Sequence, residues 1–593
     1  MGPKIDDDEY LKSIAASVAQ TNAGLPMYKR LKRLLVTAET LPAANGFKIK
    51  KTEVKKRIAA GKFAFKELDV TTGAALTSSA APAALTASAD KDYAANLQKI
   101  REVYAEVLHL PLEDIQDNTR FVEDLGGDSL QILEVVTKLE DIFDAFIPDT
   151  EYISCDTVAH TADMIFRMTH AGVAAASAPR EPVAPVTSFT DSAEYKEFQK
   201  RREALLAGGG DDPYFLVHSS PLRDTCIIDG REYIDFGNYN YAGMSGRPEV
   251  NEAAKKAIDL YGTSASGSRL LAGEKPVHGE LERAIASWKH AEAAVVCVGG
   301  HSTNVTFVGN FCGKNDLILY DALAHNSVAQ GCRLSQSATK SFPHNDTVVL
   351  EQMLKRERKY FEKVLIVIEG VYSMDGDVAP VPEFVRIKKE YGCFLMVDEA
   401  HSACVLGPTG AGVDEYFNLA PDDVDIKMGT LSKGLGTCGG YLAGKKELVE
   451  YLKYNLPGFV FSVGISPGLA AASLEAIRLL KEDPSIMQHM KENIEFFAAE
   501  AGKRGLNICK GGHSAILPVL VGKDEDAVAL SNEMQRRGVA VPPAMYPAVP
   551  RNKARLRFDV TSEHKKEQIS YALDQLVDAA RSLGITLPSP EVQ

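Results

Sequence analysis

The chain has 593 residues, of which 45% are hydrophobic and 25% charged, and a net charge of −14, which indicates a globular protein of two to four domains. No run of about 18 apolar residues is present and the first residues are acidic, so neither a transmembrane segment nor a secretory signal is expected. The nine cysteines show no C-x-x-C spacing, which argues against a metal site or a disulfide framework and favours a cytoplasmic location.

Residues 1–90 are predicted to be a basic N-terminal extension that ends in a linker. Residues 27–66 contain 12 Lys and Arg against 2 Glu. Because they hold few aromatic residues, no nucleic-acid partner is expected. Residues 67–92 are rich in Ala, Thr and Ser, a composition typical of a flexible linker.

The turn Leu41-Pro42 is followed by Lys48, seven residues after the leucine. This pattern weakly resembles the C-terminal lobe of acyl-adenylating enzymes. The sequence lacks the adenylate-binding core of those enzymes, so the resemblance implies a vestigial or docking element. A basic helical extension explains the same residues equally well.

Residues 93–170 form an acidic block with 16 Asp and Glu against 5 Lys and Arg. Apolar residues at helical spacing predict a helix over residues 93–108. The motif Leu125-Gly126-Gly127-Asp128-Ser129-Leu130 then opens a second helix, which Asp128 can cap and Ser129 begins. Taken alone, an Asp-Ser pair at such a position is usually only a helix cap.

The whole block, however, closely resembles acyl and peptidyl carrier proteins, which implies a small four-helix carrier domain. The resemblance implies that Ser129 carries 4′-phosphopantetheine. A phosphopantetheinyl transferase would attach this group, and an acyl-loading enzyme would charge it. The acidic helix after the serine, with Glu134, Glu140 and Asp141, is then the face on which partners dock.

Residues 171–194 are rich in alanine and proline and read as a second linker. From residue 195 to residue 593, apolar strands alternate with amphipathic helices. This alternation predicts an α/β fold with a largely parallel sheet covered by helices on both faces. Strands are expected near residues 293–298, 317–320, 364–369, 393–398 and 426–429.

A pair of residues in this part indicates a pyridoxal 5′-phosphate (PLP) site. Asp398 ends the apolar run of residues 394–398, and Lys433 lies in the Ser/Thr/Gly-rich segment that follows the strand-like residues 424–428. A lysine so placed forms a Schiff base with the cofactor, and a buried carboxylate keeps the pyridine nitrogen protonated.

Three further motifs accompany this pair in order: residues 238–243, residues 262–270 followed by 278–282, and residues 369–377. With them, the chain from Tyr195 to Leu587 resembles the α-oxoamine synthases. These are fold-type I PLP-dependent transferases such as serine palmitoyltransferase and aminooxononanoate synthase. The resemblance implies a mostly parallel sheet with helices on both faces and a smaller C-terminal α/β domain.

The resemblance also assigns the residues around the cofactor ring. It implies that Asp398 pairs with the pyridinium nitrogen and that His401 hydrogen-bonds the 3′-oxygen. His325 matches the imidazole that stacks on the ring, and Lys433 is the Schiff-base lysine. These four residues are the predicted catalytic group.

The phosphate end is assigned in the same way. Gly300 and His301 stand at a predicted helix start, where backbone N–H groups can hold the phosphate. Thr430 matches a hydroxyl donor to the same group. Ser462 matches a phosphate ligand that the other subunit donates, which implies a homodimer through the PLP domain.

The substrate side is predicted from three residues. Ser373 and Arg557 match residues that hold the amino-acid carboxylate, which suits arginine because its planar fork pairs with both oxygens. Asn240 lies in residues 238–243, which resemble the family's substrate loop. Arg555 points the same way on the same predicted strand, so the choice of which arginine holds the carboxylate stays open. A surface charge pair is the alternative interpretation for both.

Together these features predict a decarboxylative Claisen-type condensation. An L-amino acid would react with a carrier-bound acyl thioester, giving an α-amino ketone, CO₂ and a free thiol. One alternative is a serine palmitoyltransferase making a 3-ketosphinganine-type sphingoid base. Another is an aminotransferase that acts on a carrier-bound carbonyl.

The amino acid stays open between serine, glycine and alanine. Tyr239 stands where some glycine-using members have asparagine, and Tyr239-Asn240-Tyr241 resembles serine palmitoyltransferases. The segment from Ser268 to Leu271, followed by His278 and Gly279, instead resembles glycine- or alanine-type and polyketide-linked members. The acyl chain and the pathway are equally open.

Overall fold

The computed structural model describes residues 86–121, 124–125, 127, 129–143, 145, 147, 152, 155, 157–169, 186–206 and 212–590, together with four short strands between residues 33 and 69. The chain divides into two compact units. The first is Met1–Ile100 with Ala162–Pro179, and the second is Arg101–Thr161 with Arg180–Gln593.

The described N-terminal residues are strands: β1 (Arg33–Val36), β2 (Ala43–Ala44), β3 (Lys48–Ile49) and β4 (Lys66–Asp69). β1 pairs antiparallel with β4, and β2 with β3. The alternative interpretation of the N-terminal residues as a basic helical extension is therefore wrong for these four segments. The resemblance to an adenylating enzyme stays a prediction.

The linker predicted over residues 67–92 is wrong at both ends. Its first residues belong to β4, which pairs with the apolar strand β1. Its last residues belong to helix α1 (Thr86–Leu108). Alanine has the highest helix propensity of all residues, so an alanine-rich stretch beside an amphipathic segment extends the helix backwards.

The described carrier residues form three helices: α1, α2 (Ser129–Phe143) and α3 (Val158–Thr169). The helix predicted over 93–108 is confirmed within α1, and the helix expected to open at the motif begins at Ser129. Tyr104 of α1 is buried, and its hydroxyl lies 3.0 Å from that of Tyr152 and 2.9 Å from that of Thr161. The predicted cap Asp128 lies outside the described residues.

The larger unit contains strands β5 (Thr225–Ile228), β6 (Arg231–Asp235), β7 (Ala293–Cys297), β8 (Leu317–Asp321), β9 (Ala338–Phe342), β10 (Val364–Glu369), β11 (Phe394–Asp398), β12 (Ile426–Thr430), β13 (Gly440–Gly444), β14 (Ile516–Gly522), β15 (Val539–Ala540), β16 (Pro543–Ala544) and β17 (Ala554–Asp559). Seven of them form the main sheet in the order β7-β13-β12-β11-β10-β8-β9. β13 is antiparallel to both its neighbours, and the other pairs are parallel. The predicted largely parallel sheet is confirmed.

Its helices are α4 (Ala193–Leu206), α5 (Pro248–Tyr261), α6 (Pro276–Trp288), α7 (Gly300–Phe311), α8 (Asn326–Leu334), α9 (Thr347–Glu357), α10 (Val381–Tyr391), α11 (Val413–Phe417), α12 (Lys446–Asn455), α13 (Pro457–Val460), α14 (Pro467–Glu482), α15 (Ser485–Lys503), α16 (Asp524–Arg536) and α17 (Lys566–Leu583). Within the described part of the chain, no helix has both the length and the apolar character that crossing a bilayer requires.

Strand β10 shows why the sheet is covered on both faces. Val364, Ile366 and Ile368 pack into one buried cluster with α6 and α10, whereas Leu365 and Val367 pack into another with α7 and α8. Side chains alternate between the faces of a strand. A strand that is apolar at every position therefore requires helices on both sides.

A smaller C-terminal core stands beside the main sheet. β14, β17 and β16 form an antiparallel sheet, whose buried residues pack with Phe236 and with α17. On β17, Leu556 and Phe558 belong to this core. Arg555 and Arg557 therefore lie on the opposite face of the strand.

Candidate active site at the ends of the parallel strands

A cavity of about 460 Å³ lies at the carboxyl ends of the central strands. Parallel strands end at the same edge of a sheet, and ligands of open α/β sheets bind there. Asp398 ends β11, Glu369 ends β10 and Thr430 ends β12. The cavity is lined by Gly299, Gly300, His301, Ser302, Asn304, His325, Ser327, Glu369, Asp398, Ala400, His401, Met428, Thr430, Ser432 and Lys433.

The Asp398 carboxylate is buried and is held by neutral donors. The Nδ2 atom of Asn304 donates to one oxygen at 2.6 Å, and the Ala400 N–H donates to the other at 2.9 Å. Asn304 also donates to Ser327 Oγ at 3.0 Å. Within the described residues these donors are neutral, so the buried carboxylate is well suited to a cationic ligand group.

The Asn304 residue was not predicted. It follows Gly300 by four positions on α7, so both residues lie on the same face of the helix. Its Oδ1 atom has no partner within the described residues. The spacing to the glycine was the available signal, and only the fold brings the amide to Asp398.

Lys433 lies next to His401. The two side chains approach within 2.6 Å (Nζ to Nε2), and His401 Nδ1 lies 2.8 Å from the Tyr241 hydroxyl. Burial lowers the pKa of Lys433 to about 8, although the Asp398 charge opposes this shift. Burial, reinforced by Lys433 and Arg557, lowers the pKa of His401 well below its usual value. His401 is therefore a neutral hydrogen-bond partner of the lysine.

His325 is fixed at the start of α8. Its Nδ1 atom lies 2.7 Å from Ser327 Oγ, and its backbone N–H donates to Glu369 at 2.5 Å. Burial lowers the pKa of His325, so the ring is neutral. Burial and the charge of Asp398 raise the pKa of Glu369 well above its usual value. Glu369 therefore favours its protonated form.

The start of α7 lines one end of the cavity. Gly299 precedes the helix and Gly300 begins it, so backbone N–H groups without helical partners face this end. A Cβ atom on Gly300 would lie 2.8 Å from Thr430 Oγ1, so only glycine permits this approach. Thr430 donates to Ser432 Oγ and lies 3.0 Å from it.

Arg557 lies on the substrate side and is buried. It donates to the Ser373 carbonyl oxygen at 2.7 Å and to Asp559 at 3.0 Å. Its second terminal nitrogen, Nη2, has no partner among residues that the structure describes. The guanidinium carbon lies 5.0 Å from the Tyr239 ring centroid, and Lys433 Nζ lies 5.7 Å from the same ring.

Arg555 is engaged elsewhere. It donates to Asp375 at 2.6 Å and to the Met374 carbonyl oxygen at 3.1 Å. Both Arg555 and Arg557 are 4% exposed, so the interpretation of a surface charge pair is wrong. Of the two, Arg557 is the one that shares Tyr239 with Lys433.

Five predicted site residues are not among those that line the cavity: Ser373 and Arg557, described above, and Asn240, Ser462 and Ser129. The Asn240 amide donates to the carbonyl oxygens of Leu222 and Ser245 and accepts from the Ser245 N–H, so it braces its own loop. Ser462 follows α13. Ser129 begins α2, but its side chain lies outside the described residues.

A trio of potential metal ligands, His218, Cys226 and Asp235, meets near the β5–β6 hairpin. Burial, reinforced by Asp235, raises the pKa of the Cys226 thiol to about 12. Asp235 already accepts hydrogen bonds from the Gly237 N–H and the Asn238 amide. These bonds tie the Asp235 carboxylate to the residues that follow β6.

The chemistry of the main cavity fits PLP. Asp398 offers a buried carboxylate for a cationic ring nitrogen, and the start of α7 offers N–H groups for a phosphate. Lys433 stands at the same cavity with an amine whose pKa is about 8. The Arg557 Nη2 atom, unpartnered within the described ranges, remains for an anionic substrate group.

Two family models match the chain. The aminotransferase class I and II model matches residues 231–576, and the phosphopantetheine attachment site model matches residues 98–165. The 8-amino-7-oxononanoate synthase of Thermoanaerobacter pseudethanolicus is 36% identical over 389 residues, which are 66% of this chain and 98% of that protein. A Bacillus velezensis 8-amino-7-oxononanoate synthase 1 is 38% identical over 60% of this chain and 90% of its own.

Solved structures give the same result. Serine palmitoyltransferase of Sphingomonas wittichii is 33% identical with a TM-score of 0.64, covering 68% of this chain and 100% of that chain. A serine palmitoyltransferase from S. paucimobilis, solved with PLP joined to myriocin, is 30% identical with a TM-score of 0.64 and covers 67% of this chain and 99% of its own.

The predicted fold-type I transferase and both predicted cofactors, PLP and 4′-phosphopantetheine, are thereby confirmed. The relatives match the synthase part over nearly their whole length, and the attachment-site model accounts for a separate stretch before it. The chain therefore belongs to the α-oxoamine synthase family of PLP-dependent acyltransferases and carries a phosphopantetheine attachment domain ahead of its synthase domain.

Proposed function

We propose that the chain condenses an L-amino acid with an acyl thioester carried on its own Ser129, releasing CO₂ and a free thiol and giving an α-amino ketone. One observation carries this proposal. Lys433, Asp398, His325 and His401 meet around one cavity in a chain that also holds a phosphopantetheine attachment domain.

Each residue has a chemical role in this proposal. PLP, joined to Lys433, supplies an electron sink for the negative charge that develops at the amino-acid α-carbon. Asp398 holds the proton on the ring nitrogen, and His325 and His401 position the ring. Once free, the Lys433 amine removes and returns the α-proton, for which its pKa of about 8 is well matched.

Arg557 is the proposed anchor of the amino-acid carboxylate. Its Nε and Nη1 atoms are engaged by Ser373 and Asp559, which fixes the plane of the guanidinium. The Nη2 atom, which has no partner among the described residues, can then donate to a carboxylate oxygen. The Arg557 guanidinium lies 5.0 Å from the centroid of the Tyr239 ring, and Lys433 Nζ lies 5.7 Å from the same centroid, so the proposed anchor is close to the Schiff-base lysine.

A homodimer through the synthase domain is also proposed. Leu271 and Phe461 are each 86% exposed, and their segments are joined by a hydrogen bond of 2.7 Å from Ser268 Oγ to the Val460 carbonyl oxygen. Large exposed apolar side chains indicate an interaction surface. Ser462 follows Phe461, so a partner subunit at this surface can receive Ser462 in its own phosphate site.

Specific observations also support two other functions. The solved neighbours named serine palmitoyltransferase, together with Tyr239, favour serine as the amino acid and a sphingoid-base type of product. The aminotransferase class model leaves transamination of a carrier-bound carbonyl as the other candidate. Glycine and alanine remain candidate donors for the condensation.

The test uses the full-length, phosphopantetheinylated chain. Ser129 is charged with acyl groups, and serine, glycine and alanine are supplied in turn while CO₂ release and product mass are measured. Condensation releases one CO₂ for each thiol freed, whereas transamination releases none. The Ser129→Ala variant is the control and must not turn over carrier-bound substrate. Wild-type product without CO₂ would refute the condensation.

The cellular setting follows from the chemistry. A phosphopantetheinyl transferase must modify Ser129, and a separate enzyme must load it. The nine cysteines show no C-x-x-C spacing, which favours a reducing compartment. We therefore place the reaction in the cytoplasm.

A further inference from the structure

In the described part of the chain, helix α2 contacts the synthase domain through a buried ion pair. Glu140 of α2 pairs with Lys340 of β9, and the two side chains are only 2% and 3% exposed. A guanidinium nitrogen of Arg356, on α9, lies 3.3 Å from the same Glu140 oxygen. An acidic carrier side chain is thus buried against two cations of the synthase domain.

The carrier domain itself orients this carboxylate. The Ile147 N–H donates to Glu140 Oε1 at 2.8 Å, which leaves Oε2 for Lys340 and Arg356. The two oxygens therefore have different partners, one inside the carrier and one in the synthase domain. Removing one partner of a buried ion pair leaves an uncompensated buried charge, which is strongly destabilising. Each charge of this pair therefore needs its partner on the other domain.

The contact lies close to the active-site edge of the sheet. β9 is the edge strand, and three inter-strand spacings separate it from β11, which carries Asp398. At about 4.8 Å for each spacing, this is about 14 Å. Lys340 is two residues before the end of β9, and Ser129 is 11 residues before Glu140 on α2, or about 16 Å along the helix.

The loop after β9 also leads to the substrate side. His344 lies 3.0 Å from Asp321 and 2.8 Å from Asp377. Asp377 accepts, through its backbone carbonyl, a hydrogen bond from the Tyr372 N–H, and Tyr372 immediately precedes Ser373. The strand that bears Lys340 is thus joined by direct contacts to the loop that Arg557 engages.

We propose that Lys340 and Arg356 form the site by which the synthase domain binds its own carrier domain, through Glu140, while the acyl group is delivered. This inference rests on the proposed function and names the partner of the acidic carrier helix. Complementary charges set the orientation of such a complex. The docked carrier holds its acyl arm at an effective concentration of roughly millimolar or more.

Turnover of acyl groups on Ser129 is the first test. Glu140→Lys and Arg356→Glu should each lower the single-turnover rate of the full-length holoenzyme by at least about tenfold. Combining Glu140→Lys with Lys340→Glu should restore part of that loss. The matched control is Glu113→Lys, which reverses an exposed carrier charge and should leave the rate within about twofold. Intact mass must show equal loading of Ser129 in every variant.

Two further measurements separate this proposal from the proposed function. Turnover of a soluble pantetheine thioester should be equal in wild type and Glu140→Lys, because that substrate needs no docking. Amide hydrogen exchange over residues 338–342 measures docking without any turnover. The exchange rate should rise in Glu140→Lys and stay unchanged in Glu113→Lys. If Glu140→Lys changes neither the amide exchange rate of residues 338–342 nor the turnover of acyl groups on Ser129, the proposed docking site is overturned. Absence of product from wild type, with the exchange difference intact, would overturn only the condensation.

Discussion

The cofactor side, which lines the cavity, and the neighbouring substrate side around Arg557 differ in how their polar groups are satisfied. On the cofactor side, both Asp398 oxygens accept hydrogen bonds from Asn304 and Ala400. On the substrate side, Arg557 retains one terminal nitrogen without a partner in the described part of the chain. On the first side, these hydrogen bonds hold the Asp398 carboxylate in place, so it can fix the position of a cofactor. The second side is incomplete, and a substrate carboxylate can complete it.

The greatest loss of product formation is expected when Lys433, which lies between the two sides, is replaced. Lys433→Ala should lower product formation by at least about a thousandfold, because the residue serves as both covalent anchor and base. The measurement is product mass after loading Ser129 with an acyl group, and loading should stay intact. Lys446→Ala, an exposed lysine on α12, is the control. Product from Lys433→Ala at the wild-type rate would refute the assignment.

A smaller loss is expected from the cofactor side alone. Asp398→Asn keeps the shape of the side chain but removes the buried charge, so the ring nitrogen loses its partner. We expect the rate to fall by about a hundredfold, the equivalent of a lost hydrogen bond to a charged group. PLP should also dissociate more readily, which the absorbance of the bound cofactor reports. Unchanged rate and unchanged PLP retention would show that Asp398 only caps its own turn.

A substitution on the substrate side should change mainly the KM for the amino acid. Arg557→Lys removes the planar fork, and the KM for the amino acid should rise by about tenfold or more while kcat changes less. PLP retention should be unchanged, in contrast to Asp398→Asn. Arg555→Lys is the matched control, since Arg555 is engaged by Asp375. If both arginine variants raise KM equally, the distinction between them is wrong.

The mildest change concerns the pH dependence of cofactor capture. Schiff-base formation requires the neutral Lys433 amine, whose pKa is lowered to about 8. The neutral fraction rises from about a tenth at pH 7 to half at pH 8, so PLP capture by the cofactor-free protein should speed up about fivefold over that interval. The rate should level off above pH 9. A rate that still rises tenfold per pH unit at pH 9 would mean an ordinary lysine pKa.

Local sequence signals predicted the central elements well. The run ending at Asp398 and the one preceding Lys433 are rich in apolar residues, so both read as buried strands from the amino-acid order alone. The start of α2 at Ser129 was visible from its motif. The same local reasoning failed at the linker over residues 67–92, because pairing of β4 with β1 is a long-range event. An alanine-rich composition also suits a helix as well as a linker.

The amino-acid order alone specifies which chemical groups the chain possesses and the order in which the strands deliver them. A lysine, a carboxylate and an attachment serine are recognisable through short motifs that depend on neighbouring residues. Which groups meet depends on the assembled fold: Asn304 against Asp398, Tyr241 against His401, and Glu140 against Lys340. These pairs are 94, 160 and 200 residues apart, and no local pattern encodes a contact that arises only when a sheet and its covering helices assemble.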